Sequence, residues 1–507
     1  MKVISEQQAA DLIEDGWTII PGGFGSCGHP DGLTRAISER FKREGRPRQI
    51  GLLFASASGD LEVRGVDLFA QPGLVARAIG GFWGLVPRLG EMARRGEIEA
   101  HNWPQGVISQ LFRAIAAKKP GVISSIGLNT FVDPNNEGGC LNDRGGGPLV
   151  QRVDIAGATT LFFPALNVNC ALLRGTCCDP DGNISMEREV SYSDSLAQAM
   201  AVKNCGGIVI VQVESLVGLH EIEPQHVRIP AVLVDYVTVS CPGEHPQTYA
   251  EAYNSAFLCP GVQAPDSVEI SCAERIIARR ALQAIREEKA KVINLGIGMP
   301  TVIGRLAEES GFSGDETFTV ESGVMGGRPA FGLSFGASYR PSAVIEQAAL
   351  FDFYEGGGID VACLGFAEVD TVGNVNVSQF GSKLQGAGGF INISQSARFI
   401  LFCGTLTAAG LNVEMGSEGL RIVREGSVKK FVRQVSHLTF NGGYAKLLRQ
   451  RVMFITERAV FSLCNGLLYL DEVAPGIDVA RDIAPYIEGG FVISANCKRM
   501  KDDIFLV

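Results

Sequence analysis

Glu321 lies in the stretch FTVESGVMGG, Phe318 to Gly327, where an extended β-branched run meets a glycine turn. No histidine falls within ten residues of it. If this carboxylate does chemistry, it does it without a neighbouring proton carrier. Two further stretches could supply hydrogen-bond donors. LQGAGGFINIS, Leu384 to Ser394, sets Gly388 and Gly389 ahead of what reads as a strand, and glycine lets backbone N–H groups turn into open space to meet an oxyanion. HNWPQGVISQLF places Gln105 after Pro104 at the start of a helix, where a rigid turn holds a side-chain amide as a second donor. As single features, these also read as a turn and as a helix-end residue in solvent.

Glycine loops form the other chemical signal. GGFGSCG contains Gly23, Gly25 and Gly28 in the spacing of a dinucleotide fingerprint after a strand. The ribose-binding acid that should end the next strand is missing, since the first acid after IGLLFAS is Asp60. A backbone-amide loop at a helix N-terminus is the alternative, and so is a tight turn without a ligand. GIGMP, with Gly296 and Gly298, reads the same way in the second half.

The elements that must position these residues alternate. WTIIP, IGLLFAS, GVISSIG, TTLFFPAL and GGIVIVQV read as short buried strands, and PDGLTRAISERFKREG, GVISQLFRAIAAKKPG and SYSDSLAQAMAVKNCGG as helices ending at glycines. Such alternation implies α/β domains with mainly parallel sheets. CPGVQAPDSVEIS is a proline-rich breaker between two halves, followed by the helix AERIIARRALQAIREE. CALLRGTCCDPDGNIS, from Cys170, and VACLGFAEVDTVGNVN, from Val361, share Asp-x-x-Gly-Asn at an offset of 191 residues. The halves therefore read as related folds. At the same offset Glu321 falls on Thr130, so only the second copy carries the carboxylate.

With 507 residues, 46% apolar and 20% charged, the chain is long enough for two globular domains. A net charge of −10 and scattered basic residues argue against a nucleic-acid surface. No apolar run reaches the roughly 20 residues of a membrane helix, and no leader pattern is visible. Thirteen cysteines without C-x-x-C spacing and six dispersed histidines suggest reduced thiols and no metal site.

Together these stretches resemble the family I coenzyme A transferases. DGWTIIPGGFGSCGHP is similar to the first family signature, with Pro21 where an aliphatic residue is usual. TVESGVMGG is similar to the second, with Ser322 in place of the asparagine after the glutamate and Val320 in place of the preceding serine. LSFGASYRP, FDFYEGGGIDVACLGFAEVD and GNVNVSQFG resemble the long single-chain acetate and propionate branch. The resemblance implies two related α/β domains, residues 1–260 and 273–507, joined by a linker at 261–272. The second would carry the nucleophile, and the active site would lie between the halves.

It further implies Glu321 as the nucleophile that forms a glutamyl-CoA thioester, with Gly388, Gly389 and Gln105 as oxyanion donors. Gly23, Gly25, Gly28, Gly296, Gly298 and Gly365 would wall the coenzyme A cleft. Coenzyme A would be a substrate rather than a tightly bound cofactor. Partners would be acyl-CoA and small carboxylic acids, with no metal, nucleic acid or membrane, in a cytoplasmic homotetramer or homodimer. A thioesterase on the same site, a sugar-phosphate isomerase and a non-catalytic acyl-CoA sensor are the competing readings.

Overall fold

The computed structural model describes residues 1–241, 243–262, 269–311, 316–416 and 419–505. The middle of the expected linker, 263–268, lies outside them. Its contacts divide the chain into two units. The first comprises Met1–Ala264, Glu321–Asp352 and Ser382–Asn392, and the second Pro265–Val320, Phe353–Gly381 and Ile393–Val507. Two stretches of the second half belong with the first unit. Glu321 is one of their residues, so the nucleophile expected in a C-terminal domain is grouped with the N-terminal one. A contiguous boundary cannot be drawn because chain order and packing order differ here.

In the first unit eight strands pair in the order Lys2–Val3, Tyr236–Val239, Ile208–Leu216, Cys170–Cys178, Thr18–Pro21, Ile50–Ser56, Val75–Phe82 and Glu99–Asn102. Every one of these pairings is parallel. The central strands are buried along their length, as in Ile50–Ser56, which is why they read as unbroken apolar runs. Helices Asp31–Glu44, Gln105–Ala116 and Ser195–Asn204 follow strands in the parallel pattern. The first ends in Gly45, whose φ of 67° caps it as the sequence suggests.

Two expected core strands lie elsewhere. Gly121–Ser124 and Ala158–Pro164 pair antiparallel in a three-stranded side sheet with Gln151–Ile155. Their apolar runs are as strong as those of the core, and only their half-exposed positions distinguish them. Val75–Phe82 and Cys170–Cys178 went unrecognised, the former because VARAIGGF mixes arginine and glycine into a central strand.

The second unit repeats the theme. Thr317–Val320, Val292–Leu295, Val361–Leu364, Phe399–Cys403 and Arg451–Ile455 are parallel neighbours. Ala459–Cys464 and Leu467–Val473 then continue the sheet antiparallel. Helix Cys272–Glu288 starts with a capping box in which Ser271 and Glu274 exchange bonds, so the amides of these two residues are satisfied. No helix among the described residues is long and apolar enough to cross a membrane.

The repeat is visible in the Asp-x-x-Gly-Asn turns, which share the bonds between Asp and Asn and differ in one amide bond. Asp179 Oδ1 accepts from the amides of Gly182 and Asn183, and Asp179 Oδ2 accepts from Asn183 Nδ2. Asp370 Oδ1 accepts from Val372 and Asn374, and Asp370 Oδ2 from Asn374 Nδ2. Even the outward contact is shared, with Asn183 Oδ1 accepting from Ala231 N and Asn374 Oδ1 from Gly442 N, both at 3.0 Å.

Candidate active site

Strand Thr317–Val320 delivers Glu321 into a turn that only glycine can close. Gly323 has φ +110°, and a Cβ there would run into the carbonyl of Ile345. The turn is pinned by its neighbours. Ser191 Oγ donates to Ser322 O at 2.7 Å, Ser322 Oγ to Gly336 O at 2.6 Å, and Ile345 N to Gly323 O at 2.9 Å.

The Glu321 side chain is 9% exposed, and its Oε2 has no hydrogen-bond partner. Burial therefore pushes its pKa up to about 7, opposed only by its own backbone amide. The sequence suggests an acid fully ionised at neutral pH, but the structure places it at the edge of ionisation. An anion with one oxygen deprived of water and of donors is a high-energy group, as a nucleophile should be.

Gln105 is buried, at 1% exposure, and not in solvent. It opens helix Gln105–Ala116 behind Pro104, and its backbone N–H donates to Gly388 O at 3.0 Å. Its side-chain Nε2 reaches Gln347 Oε1 at 3.4 Å. Gln347 in turn lies beside the nucleophile's turn, because the Cβ that Gly323 lacks would sit 3.5 Å from Gln347 N.

The GAGG segment is threaded onto the carboxyl ends of two parallel strands. Ala387 N donates to Asn102 Oδ1 at 2.8 Å, Trp83 N to Gln385 O at 2.8 Å, and Asn102 Nδ2 to Gly81 O at 2.6 Å. Gly388 adopts φ +51°, which favours glycine, and its N–H donates to Gly81 O at 3.0 Å. That amide is committed to the protein, so Gly388 supplies conformation and not an oxyanion donor. Gly389 N–H has no partner among the described residues. The segment leads into helix Phe390–Ser396, where a strand is suggested by sequence, and Asn392 Oδ1 accepts from Gly106 N at 3.1 Å.

The two glycine loops differ. In the first unit Phe24 and Cys27 bond each other's backbone in both directions, at 2.8 and 2.9 Å, and Gly25 N donates to Ser56 Oγ at 3.2 Å. A Cβ on Gly23 would meet Ser58 Oγ, Cys27 O and His29 N within 3 Å. Gly25 and Gly28 have φ of 56° and 69°. This loop is a tight turn, and the amides of Phe24, Gly25 and Cys27 are unavailable to an anion. Its outer side touches the hairpin beyond the nucleophile: Ser26 Oγ donates to Phe335 O at 3.2 Å, and Gly336 lies against Phe24 and Cys27. The first signature stretch thus packs on the segment whose Gly336 carbonyl holds Ser322, all inside the first unit.

In the second unit Gly296 and Gly298 follow strand Val292–Leu295, and Gly365 follows the adjacent parallel strand Val361–Leu364. Gly298, with φ +85°, and Gly365 have nothing within 4 Å of a Cβ position. Open glycines at the carboxyl ends of neighbouring parallel strands are where α/β sheets take ligands.

Several buried polar residues here carried no sequence motif, notably Gln347, Asp194, Ser109, Asn102 and Asn392. Asn102 and Ser109 stand in HNWPQGVISQLF with Gln105, and Asn392 in LQGAGGFINIS with Gly389, so only the stretch and not the residue pointed to them. All thirteen cysteines are free, and no cluster of His, Cys, Asp and Glu among the described residues is suited to a metal ion.

A model of the coenzyme A transferase family matches residues 3–240. The chain is similar to acetate CoA-transferase YdiF of Escherichia coli (strain K12), 41% identical over 508 residues covering 99% of this chain and 95% of that protein. It is similar to caffeate CoA-transferase of Acetobacterium woodii, 40% identical over 512 residues covering 99% and 97%. Crystal structures of the acyl-CoA transferase YdiF from Escherichia coli O157:H7, as apoenzyme and as a thioester complex with CoA, match at TM-score 0.93 and 39% identity, covering 100% of this chain and 96% of theirs.

Proposed function

The chain belongs to the coenzyme A transferases, and on that premise we propose that it moves coenzyme A from a short-chain acyl-CoA to a free carboxylate, with Glu321 as the nucleophile. The observation that carries this reading is the Glu321 carboxyl itself, buried, with one oxygen unpartnered and a pKa near 7.

The ionised carboxylate attacks the thioester carbonyl, forming a mixed anhydride and releasing the CoA thiolate. The thiolate attacks the Glu321 carbonyl of the anhydride, giving a glutamyl-CoA thioester and the first free acid. The second acid attacks that thioester, displaces the thiolate and forms a new anhydride. The thiolate then attacks the carbonyl contributed by the second acid, producing the new acyl-CoA and restoring Glu321. No step needs a proton carrier, because a thiol with a pKa of about 8.5 leaves as the thiolate. This fits the lack of a histidine within ten residues of Glu321 in the sequence.

Each tetrahedral state places negative charge on a carbonyl oxygen. The Gly389 amide and the second hydrogen of Gln105 Nε2 are the donors proposed to meet it, each worth about 3 kcal/mol when well placed. Gly388 shapes the segment that presents Gly389. Val324, fully buried three residues beyond the nucleophile, helps to exclude the water that would hydrolyse the thioester. Gly296, Gly298 and Gly365 are proposed to leave room for coenzyme A. The choice of short acids rests on the resemblance to the acetate and propionate branch and on the relative named for acetate.

Exchange of isotopically labelled acetate into acetyl-CoA, catalysed by the protein and independent of added bases, is the test. Initial rates should give parallel double-reciprocal lines, the sign of a covalent intermediate. Release of free coenzyme A at the rate of acyl-CoA consumption, with no labelled thioester, would refute transfer in favour of hydrolysis.

A further inference from the structure

Asp194 sits at the closed end of a chain of buried polar side chains that leads to Gln105. Its Oδ2 accepts from Ser109 Oγ at 2.8 Å and from Gln347 Nε2 at 2.7 Å. Gln347 Nε2 also reaches Ser109 Oγ at 2.6 Å, and Gln347 Oε1 faces Gln105 Nε2 at 3.4 Å. Asp194, Ser109, Gln347 and Gln105 are all buried, since none is more than 2% exposed.

A side-chain amide has a donor end and an acceptor end of nearly equal shape, so hydrogen bonding alone decides which way it points. Burial pushes the Asp194 pKa up to about 7, but its Oδ1 has no partner, so a proton held there sits on Oδ1 and leaves Oδ2, which already takes the Ser109 hydroxyl, as an acceptor. Asp194 therefore forces the nitrogen of Gln347 inward, which leaves Gln347 Oε1 facing outward. That oxygen in turn requires nitrogen from Gln105. Without the chain, Gln105 is free to flip and present its own oxygen, which repels the charge that a donor is meant to stabilise. The two glutamines are also anchored apart from their side chains, for Gln347 N donates to Ser193 O at 3.0 Å and Gln105 N to Gly388 O at 3.0 Å. Side-chain substitutions can therefore address the relay while the backbone stays held.

We propose that Asp194 and Gln347 are positioning residues that fix the polarity of the Gln105 amide, keeping its nitrogen as the donor end for the reacting carbonyl. This rests on the role of Gln105 proposed above. It adds the cause of that role, which is a buried carboxylate two side chains away and not the helix start on which Gln105 sits.

The test is a double-mutant cycle on the rate at which acyl-CoA forms the covalent CoA adduct, with thermal unfolding as a check on folding. Gln347→Met should slow adduct formation about 10-fold or more, the equivalent of one modest hydrogen bond, while the half-saturating acyl-CoA concentration stays within twofold. Asp194→Asn, which offers either a donor or an acceptor, should slow it less, and Ser109→Ala is the mildest variant should the others fold poorly. In a Gln105→Ala background all three should have no further effect.

An equal slowing with and without Gln105 would overturn the proposal, because the relay would then act on Glu321 or on the fold. An unchanged rate in all three variants would overturn it too. Failure of the unsubstituted protein to form any adduct would instead overturn the proposed chemistry, and this inference with it.

Discussion

Asp179 and Asp370 close the same turn with the same two bonds from the following asparagine, yet the glycine loops of the two halves are built for different work. The loop at Gly23–Gly28 commits the amides of Phe24, Gly25 and Cys27 to the protein, and Gly23 fits against Ser58, Cys27 and His29. The loop at Gly296–Gly298 leaves open space around Gly298. Thr130 and Glu321 differ in the same manner. Thr130, at the matching offset, is a buried turn residue whose hydroxyl donates to Gly127 O at 2.7 Å, and Glu321 is a buried acid with an unpartnered oxygen. Where the two copies agree, their residues are satisfied. Where they differ, a single copy keeps a group unsatisfied, and that group is the one to test for chemistry.

The largest expected effect separates Glu321 from Thr130. Glu321→Ala should lower the transfer rate by about 1,000-fold or more, as for loss of a covalent nucleophile. Thr130→Ala should leave the rate within a few-fold and cost about 1 kcal/mol of stability for its lost hydrogen bond. Steady-state rates and denaturant unfolding of both variants check this pair.

Next comes pH. The folded protein holds a proton on Glu321 up to a pKa of about 7, against an ordinary 4.5. A raised carboxyl pKa makes the fold lose stability as pH rises from the unfolded value through the folded one. Glu321→Gln should therefore match the parent near pH 4 and exceed it above pH 7 by up to about 3 kcal/mol. Adduct formation should rise with pH through about 7 and then level off. Unfolding and single-turnover rates across pH 5–9 measure both.

The loops give a smaller contrast. Gly23→Ala should cost about 2 kcal/mol or more, since its φ of 99° and three close atoms leave no room for a methyl group. Gly298→Ala should cost about 1 kcal/mol for backbone strain alone, and should raise KM for acyl-CoA if coenzyme A uses the open side. The smallest effect is one of equality. Asp179→Ala and Asp370→Ala should lower stability by about 1–2 kcal/mol each, and a clear inequality in chemical unfolding would mean that the repeat is structural in only one half.

The repeat was legible because Asp-x-x-Gly-Asn dictates its own geometry through bonds only a few residues long. Glu321 and Gln105 were legible because an acid at a strand end and an amide behind proline are local features. The Gly388 amide was not, since its acceptor, Gly81, belongs to a remote strand. Asp194 and Gln347 were equally hidden, because a buried polar relay depends on elements brought together only by the fold. The side-sheet strands Gly121–Ser124 and Ala158–Pro164 show the same limit, as an apolar run marks a strand without saying which sheet receives it.

The account depends on Glu321 carrying coenzyme A in the course of reaction. Peptide mass spectrometry of the protein quenched after mixing with acyl-CoA and no acceptor acid measures this directly. The account predicts a coenzyme A thioester on Glu321, lost on adding acetate and absent from Glu321→Ala. A coenzyme A adduct on any other residue, or one that persists in Glu321→Ala, would contradict it.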